Sequence, residues 1–261
     1  MIKKELIDFA NHLADLSSKV IKNYYRVSND EIAKTDDSPV TRADREAEAV
    51  MRAAIEKTFP EDGIIGEEFG IKESKSGFNW ILDPIDGTSS FIIGRPIFGT
   101  LIALTQNEES LIGIVNQPIT NERWLGIKGG GAFFNGNKIQ VRDCGNLENA
   151  VMCSSSSFYF QGDDAEVLRK ITSKTKYQKL GGIIYGGDCY SYACLASGFV
   201  DAVIDPGLKV YDYAPNMILI KEAGGIITNW QGSDPKLQSG VKLIACGSAK
   251  IHQEILEIIN S

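Results

Sequence analysis

The stretch WILDPIDGTSSF, residues 80–91, drives an apolar run into two acids three positions apart and then opens a Gly-Thr-Ser turn. Trp80, Ile81 and Leu82 read as a buried strand that delivers Asp83 at its end, and Pro84 fixes the backbone before Asp86. In such a turn both carboxylates and the Ile85 carbonyl can face one point. The apolar lead-in would bury uncompensated charge unless a cation sat there. Gly87 lets the backbone approach a ligand closely, and Thr88, Ser89 and Ser90 can open a helix whose free N–H groups face an anion.

On either side of this stretch the pattern is α+β, passing into α/β. Ile2, Leu6, Phe9, Leu13, Leu16, Val20 and Tyr24 recur at helical spacing, and a second helix is expected over 42–59 with Ala47, Val50, Met51, Ala54 and Ile55 inward. Thr41 and Asp44 have the spacing of a capping pair at its start. Strand-like runs follow, among them PIFGTLIAL, SLIGIVNQP and ERWLGI, and Asn135-Gly136 marks a hairpin. Beyond Cys144, short apolar runs alternate with helical stretches expected at 163–174, 188–198, 211–223 and 249–260. The sequence therefore reads as an N-terminal α+β half, 1–145, carrying the acidic motifs, and a C-terminal α/β half, 146–261. A short junction favours a cleft shared by the two.

Composition narrows the function. The chain has 261 residues, 43% of them hydrophobic, which is enough for a packed core. A net charge of −7 argues against a broad nucleic-acid surface, because binding to a phosphate backbone is driven by Lys and Arg. Five cysteines show no CxxC pair, so neither a zinc cluster nor a disulfide framework is expected. The N-terminal helix carries Glu5, Asp8 and Asp15 within its apolar repeat, unlike a signal peptide, and no run is long enough for a membrane span. The expectation is a cytoplasmic protein with no membrane or nucleic-acid partner.

Two more acidic segments matter. IIGEEFG places Glu67 and Glu68 at the end of a short apolar run, and KVYDYAPN places Asp212 at a helix start. A solvated pair and a simple N-cap are the alternatives for these residues. An oxygen-only donor set suits Mg2+ better than zinc. His12 and His252 are the only histidines and fall in the terminal helices, so an imidazole base is not expected.

GEE, WILDPIDGTSSF and YDYAPNMILIKEAGG, in this order and spacing, resemble the signature segments of the inositol monophosphatase family, and the similarity runs over nearly the whole chain. The resemblance implies a layered αβαβα sandwich of the inositol monophosphatase and fructose-1,6-bisphosphatase type, a homodimer, and hydrolysis of a small phosphate monoester with two or three Mg2+ ions per site. Carried over by residue, it implies Glu67, Asp83 and the Ile85 carbonyl as ligands of one metal, and Asp83, Asp86 and Asp212 as ligands of a second. Gly87, Thr88 and Ser89 match the phosphate cradle, and Thr88 with Glu67 matches the pair that orients the attacking water. Asp44 matches an acid beside the cluster that partners Thr88, and Lys34 a basic loop residue nearby.

Within the family the chain looks most like the histidinol-phosphate phosphatase branch. Tyr211-Asp212 stands where inositol-cleaving members usually carry Trp-Asp, and Ser89 stands where the histidinol-phosphate branch carries a lysine. Asp188 and Asp205 would pair with the ammonium and imidazole of histidinol phosphate. A helix cap for Asp188 and an Asp-Pro-Gly turn for Asp205 are the structural alternatives. Inositol 1-phosphate and a nucleotide compete as substrates, the latter calling for more basic side chains. A glycosidase would not need the anion turn, and a non-catalytic metal- or phosphate-binding protein is a further alternative.

Overall fold

The computed structural model describes residues 2–27, 31–33, 39–175, 182–237 and 240–261, with backbone alone for 31–33 and 39–41. The N-terminal stripe forms α1 (Lys4–Tyr24), and α2 (Arg42–Thr58) follows a short antiparallel pair, β1 (Glu31–Ala33) with β2 (Pro39–Thr41). The Thr41 side chain, and with it the expected capping pair, lies outside the described residues.

An eight-stranded sheet comes next: β3 (Gly63–Gly66), β4 (Gly70–Lys72), β5 (Phe78–Asp86), β6 (Gly99–Gln106), β7 (Glu109–Gln117), β8 (Glu122–Ile127), β9 (Gly131–Phe134) and β10 (Asn137–Ile139). Their order is β10-β9-β8-β7-β6-β5-β3-β4, antiparallel except where β3 runs parallel to β5. Asn135 and Gly136, at φ 46 and 80, make the expected hairpin between β9 and β10. Alternation along β5 decides which layer each residue meets. Trp80 and Leu82 pack with Ala10, Leu13, Met51 and Ile55 of the two helices, whereas Ile81 faces the other way.

The second sheet has the order β12-β11-β13-β15-β14, built from β11 (Met152–Ser154), β12 (Ile183–Tyr185), β13 (Ala202–Leu208), β14 (Ile226–Asn229) and β15 (Val241–Cys246). Leu168 and Ile171 of α4 (Asp163–Lys174), with Ile251 and Ile255 of α7 (Ala249–Ile259), cover its outer face over Met152, Ile204 and Ile244. Its inner face meets α5 (Asp188–Ala196) and α6 (Val210–Glu222). Tyr192, Leu195, Met217 and Leu219 of these helices share one core with Ile81, Leu101 and Val115 of the first sheet and Val203 and Leu243 of the second. The result is the αβαβα sandwich.

Helix α6 lies unusually deep on the first sheet. A Cβ on Gly113 would come 2.2 Å from the Pro215 carbonyl oxygen, and one on Gly126 would come 2.6 Å from Leu219 Cα. These two glycines form a shallow seat in β7 and β8 that no side chain could share with the helix. The α6 N-terminus, and Asp212 with it, is thereby held against the end of β5.

Candidate active site

Strand β5 does not stop at Asp83, where its apolar run ends; it continues through Pro84 and Ile85 to Asp86. Asp83 pairs with Leu101 and Asp86 with Gly99, so three steps on β5 match two on β6. That bulge has a chemical consequence. Residues three apart on a regular strand point to opposite faces, and one extra residue returns both acids to the same side. The bulge also accommodates Pro84, which has no N–H to give a ladder. Thr100 Oγ1 donates to the Pro84 carbonyl at 2.8 Å and pins the bulged segment.

The other acids arrive from separate elements. Asp212 sits in the first turn of α6, where its Oδ2 accepts from the Lys209 N–H at 2.7 Å. Capping its own helix and joining the cluster are thus compatible. Glu67 follows β3, its N–H donating to the Leu82 carbonyl at 3.2 Å. Fully buried Glu48 holds this loop: its carboxylate accepts from the N–H groups of Glu68 at 2.8 Å and Phe69 at 3.2 Å and from Arg52 Nε at 2.7 Å. Sequence reading passed over Glu48, although an acid on the inward stripe of α2 beside Ala47 and Met51 was a visible signal.

Asp83, Asp86 and Asp212 each place a carboxylate oxygen within 4.8 Å of the others. Asp83 Oδ1 is buried with no hydrogen-bond partner. Burial, and after it the charges of Glu67, Asp86, Asp212 and Asp44, push the Asp83 carboxyl well above the usual range. Asp86 rises likewise through burial and the charges of Asp188 and Asp212, and burial lifts Asp212 to about 7. Three oxygen donors crowded this closely, one of them orphaned, fit a hard divalent cation. The Cys189 thiol lies against Asp86 but burial and that carboxylate hold it protonated, so it is no thiolate donor.

The cluster opens into a cavity of about 1050 Å³ lined by Glu67, Asp86, Gly87, Thr88, Ser89, Asp188 and Asp212 among others. Gly87, at φ 84, ends the strand, and Thr88 starts the short helix α3 (Thr88–Ile92). Thr88 Oγ1 donates to the Ile85 carbonyl at 3.0 Å, which fixes its rotamer and leaves its lone pairs toward the cavity. Asp44, only 2% exposed, lies behind the cluster. Lys34 lies outside the described residues. Neither histidine lines this cavity; His252 Nε2 bonds Thr228 Oγ1 at 2.7 Å elsewhere.

The two expected substrate acids part company. Asp188 opens α5 at φ 38, directly after Gly187 at φ 100, and lines the cavity. Its Oδ2 is 2.9 Å from where a Cβ on Gly87 would stand. The next residue's N–H donates to Asp86 Oδ2 at 2.6 Å, so α5 also braces the acidic cluster. Burial raises the Asp188 carboxyl, opposed by a Ser155 hydroxyl and the charge of Arg95. Asp205, by contrast, is not at the rim. It is 1% exposed, and its oxygens accept from Ser154 Oγ at 3.0 Å, the Ser155 N–H at 2.7 Å and the Tyr192 hydroxyl at 3.0 Å. Four lone-pair sites are mostly spent on tying β13 to β11 and α5, which leaves no direction open toward a substrate.

Sequence reading also missed Arg95, Phe158 and Tyr159, all of which line the cavity. No motif distinguishes them, because their placement depends on segments far apart in the chain. Among the described residues, no helix is long and apolar enough to cross a membrane.

Comparison with known proteins agrees with this geometry. A curated relative from Arabidopsis thaliana, "Bifunctional phosphatase IMPL2, chloroplastic", is 42% identical over 95% of this chain and 72% of its own length. A protein named histidinol-phosphatase, from Chlorobaculum parvum, is 36% identical over 93% of this chain and 92% of its own. An inositol monophosphatase structure from Zymomonas mobilis superposes with a TM-score of 0.89 at 38% identity, covering 99% of this chain and 98% of that one. The model of the inositol monophosphatase family matches residues 2–261, and the acidic cluster, the glycine turn and the sandwich that holds them are therefore those of a phosphatase: the chain belongs to the inositol monophosphatase family.

Proposed function

We propose that this phosphatase hydrolyses histidinol phosphate, with Mg2+ as its cation. The observation that carries the choice of substrate is Asp188, a carboxylate packed against the Gly87 turn and facing the same cavity as the acidic cluster. A phosphate seated on the turn brings the alcohol portion of the ester beside Asp188, where an amine-bearing alcohol gains a charge-assisted hydrogen bond and a neutral polyol does not. The relative named histidinol-phosphatase supports the same reading.

Glu67, Asp83, Asp86, Asp212 and the Ile85 carbonyl would hold the metal, which when bound supplies positive charge for the phosphoryl oxygens and lowers the pKa of water. The protein's own groups do the rest. The N–H groups of Gly87, Thr88 and Ser89 receive phosphoryl oxygens at the start of α3. Thr88, fixed by its bond to the Ile85 carbonyl, and Glu67, which accepts from the Tyr211 hydroxyl, orient a water for in-line attack. Asp44 supports them from behind, and no residue need carry the phosphoryl group.

The test is phosphate release from histidinol phosphate and from inositol 1-phosphate, with Mg2+ and with a chelator, by wild type and Asp188→Asn. Mg2+-dependent preference for histidinol phosphate, with KM for it raised about ten-fold in the variant, is the expected result. Faster turnover of inositol 1-phosphate by wild type overturns the substrate and leaves the phosphatase.

A further inference from the structure

Ser157–Tyr159 forms a single 3-10 turn at the mouth of the catalytic cavity. Its backbone is fastened from both sides. Ser156 Oγ accepts from the Phe158 N–H at 3.2 Å, and Gln161 Nε2 donates to the Phe158 carbonyl at 2.5 Å. Phe160, 3% exposed, lies 6.2 Å from the Trp230 ring and anchors the end of the turn in the outer core.

Two large rings stand out from this rigid mount. Phe158 is 79% exposed and Tyr159 56%. Core packing does not account for them, since each ring would contribute more if it were buried. Both rings line the cavity that Asp86, Asp188 and Asp212 also line, and burial, then the charges of Asp188 and Asp86, raise the Tyr159 hydroxyl. The cavity lining therefore combines carboxylates with two large aromatic side chains.

We propose that Phe158 and Tyr159 form an aromatic wall that stacks the planar imidazole ring of the substrate while Asp188 takes its amine. The inference rests on the reading of histidinol phosphate as substrate and assigns its ring to a place. An imidazolium gains on this wall twice, through ring stacking and through the attraction of a cation to a π face, and both grow as water is excluded. A polyol has no face to stack. The phosphate turn, Asp188 and the wall then read three separate parts of one small molecule, its ester, its amine and its ring.

Steady-state kinetics on the Mg2+-saturated full chain test this with three esters: histidinol phosphate, the imidazolylpropyl phosphate that lacks the amine, and phosphoethanolamine, which lacks the ring. The variants are Phe158→Ala with Tyr159→Ala, and Tyr159→Phe alone. Expected for the double variant is a rise of about ten-fold in KM for both ring-bearing esters, with kcat retained and KM for phosphoethanolamine unchanged. Tyr159→Phe keeps the wild-type KM, since it preserves the face. An equal rise for phosphoethanolamine, or no rise for the ring-bearing esters, overturns the wall. The two readings fail separately: the substrate is judged by the preference of wild type over inositol 1-phosphate, the wall by the difference between esters with and without the ring.

Discussion

Replacing Asp83 by Asn should stabilise the metal-free protein and destabilise it relative to wild type once Mg2+ is added. Asp83, Asp86 and Asp212 hold carboxylate oxygens within 4.8 Å of one another, and Asp83 is buried. Two unit charges at that distance repel by roughly 3.5 kcal/mol at an effective dielectric of about 20. The raised pKa values keep part of the cluster protonated near neutrality, so the realised repulsion is below that Coulomb value. Relief of about 1–2 kcal/mol in a chain of this size corresponds to a gain in Tm of roughly 2–8 °C for Asp83→Asn in chelator. With Mg2+ at about 100 times its Kd, wild type gains about 2.7 kcal/mol and the variant little, so the order of stability inverts. Thermal unfolding of both proteins, with chelator and across a Mg2+ titration, reads this directly. A variant less stable than wild type in chelator would refute the reasoning, because it would mean that the buried Asp83 carboxylate is a satisfied structural group.

Gly87→Ala should combine strain and obstruction. The residue has φ 84, and its new Cβ would stand 2.9 Å from Asp188 Oδ2 and 3.3 Å from Phe98 Cα. A left-handed conformation costs about 1–2 kcal/mol, so Tm should fall by roughly 2–8 °C and kcat/KM by more than about ten-fold; unchanged kinetics would remove Gly87 from the phosphate turn. Asp205→Asn separates a structural acid from a substrate acid. Burial raises this carboxyl from 3.8 to about 6, so the unfolded chain releases its proton first. Wild type therefore loses stability as pH rises from about 4 to about 6 and holds level above, a penalty of roughly 3 kcal/mol. Asn can accept from the Ser155 N–H and donate to the Tyr192 oxygen, so the variant should match or exceed wild-type Tm at pH about 7.5, with the difference shrinking toward pH about 4. Its KM should not change, and a selective rise for histidinol phosphate would return Asp205 to the binding site.

The layers and the acids that come together were legible because both rest on local pattern. The stripes of α1 and α2, the Asn135-Gly136 hairpin and the alternation in the second half are short-range signals, and the structure places helices at Asp163–Lys174 and Asp188–Ala196 where spacing predicts them. Asp83 ends an apolar run, where a charge is costly and so stands out, and Asp212 opens a helix pattern. What escaped depends on contacts between distant segments. The apolar run reads as a strand that ends at Asp83, but Thr100 and the β6 register carry the strand on to Asp86. Asp205 reads as a substrate acid, or as a turn acid in Asp-Pro-Gly, yet Ser154 and Ser155, about fifty residues earlier, enclose it. Phe158 and Tyr159 belong to no periodic stripe, so only the location of their turn gives them meaning.

The shallow seat under α6 extends the intolerance of this enzyme to substitution well beyond the groups that meet a ligand. Gly113 and Gly126 lie within two strands, without charge, polarity or access to the cavity, yet any side chain there must lift the helix that carries Asp212. In a saturation-mutagenesis map these two positions would score with the acids, because the seat of α6 ties drift along β7 and β8 to the acidic cluster.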